Sequence, residues 1–191
     1  MEFVFYFAYG SNMLAERLQR RCRSAVVHGV AVADDYALAF SKIGQDDSGK
    51  ATLVAAAGVR THGVVFRISI DDLALLDRFE GRGRGYERWD DFSVRCASDG
   101  GKLCKAATYI ASTPYLDDKL RPFDWYLDLV IHGARQHGLP PAHIEAITRT
   151  QAVIDPDPGR QQRLEALEIL DLVSASGGML SGTGPDRRRG P

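Results

Sequence analysis

Little in this chain invites a metal, a membrane or a polyanion. Cysteine is scarce: Cys22, Cys96 and Cys104 are odd in number and form no CxxC pair, which argues against both a disulfide framework and a zinc site. A reducing cytoplasm is the simplest setting for such a set. An excess of charge of one sign is also missing, with Lys+Arg at 24 against Asp+Glu at 25, so neither nucleic acid nor an anionic bilayer is expected as a partner. No apolar run is long enough to span a membrane. The apolar opening "EFVFYFA" carries Glu2 where a secretory leader has basic residues, and no cleavage-site pattern follows it. His28, His62, His132, His137 and His143 fall in no HExxH or similar spacing, so no metal is expected. Ser11 lies in no GxSxG elbow, which argues against a serine nucleophile. The single "GRGRG" at 81–85 is too short to be an RNA-binding segment and reads as a loop that needs glycine dihedrals. Near the end, "SGTGPD" lacks the strand and helix of a dinucleotide fingerprint, and "DRRR" is a solvated charge run.

What is present suffices for one domain with a real core: 191 residues, 45% hydrophobic, with two Trp, seven Tyr and eight Phe. Runs rich in Val, Phe and Tyr, broken by Gly, Asp and Ser, predict strands at 2–8, 25–32, 36–42, 51–56, 62–68, 89–96 and 103–111. A helix is expected to open at Asn12, whose side-chain oxygen can cap "MLAERLQRR". Another should open near Asp71, with acidic residues at its positive end, and stop at Gly81. Three more follow in "DWYLDLVIHGARQHG", in "PPAHIEAITRT" with proline in its first turn, and in "RQQRLEALEILDLVSA". Strands first and helices later indicate an α+β fold rather than βαβ alternation. The domain is placed at 1–175. Residues 176–191 lack apolar periodicity and are expected to be a disordered tail.

Two local features carry possible chemistry. At 100° per residue, Leu73, Leu76 and Glu80 share one narrow sector of their helix, so Glu80 is a candidate for shelter from water; shelter disfavours the charged form of a carboxyl, as proton transfer near neutrality requires. The turn "YGSNM" (9–13) leads from a strand into a helix, where unpaired N–H groups and the helix dipole make a cradle for a carboxylate or a developing oxyanion. Each pattern has a plainer explanation: a frayed last turn with Glu80 in water, and an ordinary strand-to-helix connection capped by Asn12. Spacing alone does not choose between them.

Taken in order, "YFAYGSNM", "HGVVFRI", "LDRFEGRGRGY" and "DWYLDLVIHGARQHGLPPAHIEAI" resemble the γ-glutamylcyclotransferase family over about residues 3 to 150. The resemblance implies a small mixed β-barrel flanked by helices, and catalysis with no metal or organic cofactor. It further implies Glu80 as the general acid/base, with a substrate site formed by Tyr9, Gly10, Ser11, Asn12, Met13, Leu14, Tyr86 and Tyr126. The implied reaction closes a γ-glutamyl amide or peptide, as in glutathione metabolism, to 5-oxoproline with release of an amine or amino acid. The implied partner is therefore a small γ-glutamyl molecule. Two departures, the segment "IGQDDSGK" and the helix after Asp155, leave the leaving group open. A γ-glutamyl polyamine or natural product, or a silent binding module of the same fold, also remains compatible with the residues. The oligomeric state is not encoded in any pattern we find.

Overall fold

Phe3–Ala8 form β1, whose last residues are buried. In the computed structural model, which describes residues 2–178 (side chains to 175), this strand closes a five-stranded barrel in the order β1-β3-β2-β4-β5. Long strands β2 (Val26–Ile43) and β3 (Gly49–Ser69) form one bent hairpin. β4 (Tyr86–Cys96) and β5 (Lys102–Ala111) form a second. All pairings are antiparallel except the short β1–β5 contact, Tyr6 beside Ala107, so the barrel is mixed as expected. Closure pairs both edges of β1 and leaves neither for aggregation.

The strands at 25–32 and 36–42 are one element, not two, and so are those at 51–56 and 62–68. The break read at Asp34 and Asp35 is a bulge. Asp35 adopts φ 63°, and its carboxylate accepts the Gly58 N–H at 2.7 Å, so β2 bends without ending. Cysteine spacing also misled. Cys96 and Cys104 lie on opposite arms of the β4–β5 hairpin, with Cα atoms 6.5 Å apart, and are joined as a disulfide. The turn at 97–101 folds back two residues that look unrelated in sequence. This pairing overturns the expectation of no disulfide and withdraws the ground on which a reducing compartment was inferred. No helix among the described residues is long and apolar enough to cross a membrane.

Helices cover the barrel. α1 (Ala15–Arg21) follows a short 3-10 turn, Ser11–Met13, and its N-cap is Leu14 with no side-chain cap. Asn12 is therefore not the cap predicted for it, because its side chain is taken up by long-range partners. α2 (Ile70–Glu80) is capped by Ser69, whose Oγ accepts from the Asp72 N–H at 3.1 Å, and ends on Gly81 at φ 66°, ψ 47°. That left-handed C-cap strains any residue with a Cβ, which explains glycine there. Leu73 and Leu76 are buried, as the periodicity predicts. α3 (Asp124–Gln136), α4 (Pro141–Thr148) and α5 (Gln161–Gly178) complete the layer. The segment expected to be a tail begins within the last turn of α5, and residues 179–191 lie outside the described residues.

A close backbone contact helps set the relation of helix layer to barrel mouth, alongside the bond between His137 Nε2 and the Met13 carbonyl. Gly133 of α3 faces the Ser11–Met13 turn so closely that an added Cβ would lie 2.6 Å from the Leu14 nitrogen and 2.8 Å from Met13 Cβ. Backbone meets backbone there, with no flexible side chain to yield. Gly133→Ala should destabilise the fold by about 1–3 kcal/mol, measured by urea unfolding. Ser69→Ala should cost about 1 kcal/mol through loss of the α2 cap, with an unchanged m-value.

Candidate active site

β1 ends at Ala8, and the chain then turns across the barrel mouth at residues 9–12. Gly10 has an ordinary negative φ of -116°, so left-handed backbone is not the reason for glycine here. Close approach is. A Cβ on Gly10 would stand 2.9 Å from Ala51 Cβ of β3 and 3.5 Å from the Tyr126 hydroxyl. The turn thus lies flat on the barrel wall. Its carbonyls at Gly10 and Ser11 accept from Met13 N and Leu14 N, whereas the N–H groups of Gly10, Ser11 and Asn12 have no acceptor among the described residues.

Glu80 reaches the same place from the last turn of α2. Its Oε1 accepts from Asn12 Nδ2 at 2.9 Å and from Arg21 Nη1 at 3.1 Å; the side chain is 16% exposed. Oε2 has no donor among the described residues. The frayed, solvated alternative for this glutamate does not hold, but the sheltered setting is polar rather than the leucine-lined one that periodicity suggested. Arg21 also donates to Asn12 Oδ1 at 3.1 Å and lies over the Phe79 ring, 5.2 Å from its centroid. The second amide hydrogen of Asn12 goes to the Tyr6 hydroxyl at 3.0 Å. Every polar atom of the Asn12 carboxamide is therefore engaged, which sets its orientation.

A cleft of about 310 Å³, its open mouth included, is lined by Tyr6, Tyr9, Gly10, Ser11 and Asn12 from the N-terminal segment, and by Ala51, Glu80, Tyr86, Tyr109 and Tyr126 from the rest. Five of the seven tyrosines in the chain thus face one cavity. Burial raises the pKa of all five, and the nearby Glu80 charge adds to the effect, so each phenol stays neutral and keeps its proton. Their hydrogen bonds divide them. Tyr86 donates to the Ala51 carbonyl at 2.6 Å, Tyr109 donates to Asp77 Oδ1 at 2.8 Å, and Tyr9 donates to the Tyr109 carbonyl. Tyr126 instead accepts from the Ala51 N–H at 3.1 Å, and Tyr6 accepts from Asn12. These two hydroxyls use an oxygen lone pair on the protein and retain a hydrogen to offer a ligand.

Of the residues predicted for the site, the structure brings together Tyr9, Gly10, Ser11, Asn12, Glu80, Tyr86 and Tyr126. Met13 and Leu14 are fully buried behind the turn and form no part of the cavity wall. Tyr6, Ala51 and Tyr109 line the cavity without having been predicted, and Arg21 and Arg17 support it. Arg17 is 8% exposed, and its Nε donates to Ser11 Oγ at 3.2 Å; burial lowers its pKa to about 9. A signal was present in the spacing: Arg17 and Arg21, four apart, must share the α1 face that follows the turn.

Other nucleophile and metal chemistries find less support. Burial pushes the Cys22 thiol up to about 12, far from a reactive thiolate. His28, Cys96 and Asp99 do bring ligand-type atoms within 4.8 Å of one another, a cluster that linear spacing hid. Cys96 is committed to Cys104, however, and a disulfide sulfur is not a thiolate donor.

With this geometry in view, comparison with known proteins is informative. The family profile described as "Gamma-glutamyl cyclotransferase, AIG2-like" matches residues 6–127. "Gamma-glutamylcyclotransferase" of Bos taurus is 33% identical over 144 residues, 73% of this chain and 74% of that protein. The Homo sapiens protein of the same name gives the same identity and coverage. A solved structure of a "Gamma-glutamyl cyclotransferase" superposes with a TM-score of 0.77 at 27% identity, covering 91% of this chain and 99% of that one. The profile match spans the turn, the glutamate and all five cavity tyrosines, and the chain belongs to the γ-glutamyl cyclotransferase, AIG2-like family.

Proposed function

We propose that this enzyme converts a γ-glutamyl amide to 5-oxoproline and a free amine or amino acid, with Glu80 as the proton carrier. The observation that carries the reading is the joint placement of the Glu80 carboxylate and the free N–H groups of residues 10–12 in one tyrosine-lined cleft, linked through Asn12.

A γ-glutamyl amide holds its own nucleophile, the α-amino group, in reach of the γ-carbonyl carbon for closure of a five-membered ring. The protein has to fold the substrate and manage protons. Glu80 Oε2 accepts a proton from the α-ammonium and frees the amine to attack; the new C–N bond makes a tetrahedral carbon bearing an oxyanion. The same proton then passes to the departing nitrogen as the original amide C–N bond breaks. The ring nitrogen, which still bears two hydrogens after the attack, gives up one of them by way of Glu80 as the lactam forms, so that both protons lost by the α-ammonium end on the departing amine, and no covalent enzyme intermediate is required. Asn12 and Arg21 hold Oε1, so the carboxylate presents Oε2 in a fixed direction. The turn amides and the free hydrogens of Tyr6 and Tyr126 supply donors for the substrate carboxylate and the oxyanion. Such donors act with most effect where water is largely excluded.

Glu80→Gln keeps the side-chain shape and loses the proton carrier. Release of 5-oxoproline should fall by about 10²–10⁴-fold in kcat at a near-native melting temperature; wild-type turnover by the folded variant rules out the proton-transfer role. Gly10→Ala should also lower kcat/KM, because its Cβ displaces the turn from Ala51. Adding Ala51→Gly in the same chain should restore part of the loss, a coupling visible in a double-mutant cycle and absent if Gly10 serves only chain flexibility.

A further inference from the structure

A second cluster of chemically able side chains lies away from the cleft. Tyr86 starts β4 and lines the cleft, whereas Cys96 ends that strand, about 30 Å of chain further on. His28 is the extra residue of a bulge in β2, because the pairing with β3 passes from Val27 to Gly29 and skips it. Its ring packs on Phe5, 4.5 Å between centroids, and its Nε2 faces the turn that follows β4, 3.7 Å from Asp99 Oδ2 and 3.2 Å from Ser98 Oγ. Gly29 lets that turn rest against β2, since a Cβ there would stand 3.3 Å from both side-chain atoms of Ser98. Cys96 pairs with Ala31 of the same β2 strand. Ligand-type atoms of His28, Cys96 and Asp99 thus lie within 4.8 Å of one another, and the disulfide holds the Cys104 sulfur beside them.

Two sulfurs, an imidazole nitrogen and a carboxylate oxygen form the donor set of a tetrahedral site for zinc or a similar cation. Bonds of about 2.0–2.3 Å to a central ion place its donors about 3.3–3.8 Å apart. The 3.7 Å between His28 and Asp99 already meets that spacing. What decides occupancy is the state of the cysteines, which present no thiolate while they are joined. Exchange with an external dithiol opens the bridge: the dithiol gives up two electrons and two hydrogens and becomes a disulfide, and Cys96 and Cys104 are left as thiols. A divalent ion then displaces both thiol protons to solvent and takes the two thiolates. Asp99 is exposed, and His28 and Cys104 are partly exposed, so ion and dithiol can enter from solvent.

We propose that the reduced chain binds one divalent cation of the zinc class on Cys96, Cys104, His28 and Asp99, and that the reverse exchange with an external disulfide closes the bridge and releases it. This inference is independent of the ring-closing reading above. The hairpin end is cross-linked in both states: the disulfide ties β4 to β5, and the ion ties both of them to the β2 bulge.

Cobalt(II) is the probe, because tetrahedral coordination by thiolates gives it intense visible bands and a sulfur-to-cobalt charge-transfer band in the near ultraviolet. The untagged full chain, reduced with a dithiol and freed of it by anaerobic gel filtration, should take up one equivalent of cobalt(II) with both features, and zinc(II) should displace it. The oxidised chain should show neither. His28→Ala and Asp99→Asn leave the cysteine pair intact, and melting of the oxidised variants checks that each is folded. His28→Ala should weaken cobalt affinity by about 100-fold or more and Asp99→Asn by about tenfold or more, given that outer-shell partners alone are worth about 10–100-fold. A reduced wild-type chain that binds no cobalt overturns the inference without recourse to any variant, and so does equal uptake by the oxidised chain. Binding that neither substitution weakens also overturns it, since two thiolates would then account for the ion by themselves.

Discussion

One carboxamide holds this site together. Asn12 donates to Glu80 and to Tyr6 and accepts from Arg21, thereby joining the end of β1, the α1 helix, the C-terminus of α2 and the turn between them. A buried amide whose nitrogen and oxygen are both engaged is expensive to move, because displacement leaves a donor or acceptor without a partner. That asymmetry, more than the strength of any one bond, keeps the carboxylate aimed at the cleft. Barrel closure provides the frame: pairing of β1 on both edges delivers the turn to the mouth at a fixed height, and the left-handed cap at Gly81 stops α2 where its last residue can meet it.

Polarity in the cleft follows from tyrosine rather than from charge. Each ring supplies apolar wall while its hydroxyl is tied to a backbone carbonyl, an amide or a carboxyl of the barrel, the turn or α2. Three of the five hydroxyls spend their hydrogens on the protein and stiffen the wall; Tyr6 and Tyr126 accept instead and keep theirs. Division of labour among chemically identical residues thus comes from which partner the fold offers each one.

Elements governed by local rules were legible in the sequence. The leucine spacing, acidic first turn and terminal glycine of α2 gave its limits to within a residue or two, and with them the face on which Glu80 stands. Long-range partners were not legible. Asn12 reads locally as a cap, yet Arg21, Glu80 and Tyr6 take its side chain, and Glu80 lies 68 positions away. The same applies to Tyr109, whose hydroxyl finds Asp77 of α2, 32 positions away, and to Cys96 and Cys104, which a hairpin turn unites. Asp35 misled for a different reason: a residue type that usually ends strands here bends one. Assignment of the turn and glutamate to a single site came from the family resemblance, since neither pattern alone distinguished chemistry from an ordinary connection.

The backbone contact between Gly133 and residues 13 and 14 has a wider consequence. Catalytic turns on many folds belong to loosely held loops that fluctuate without disturbing the body of the protein. Here the turn is wedged between the barrel and a helix whose inner face is core, so it opens only when that helix lifts. Loss of function on heating should accordingly keep step with cooperative melting rather than precede it, and resistance to inactivation in this enzyme becomes a property of the whole core.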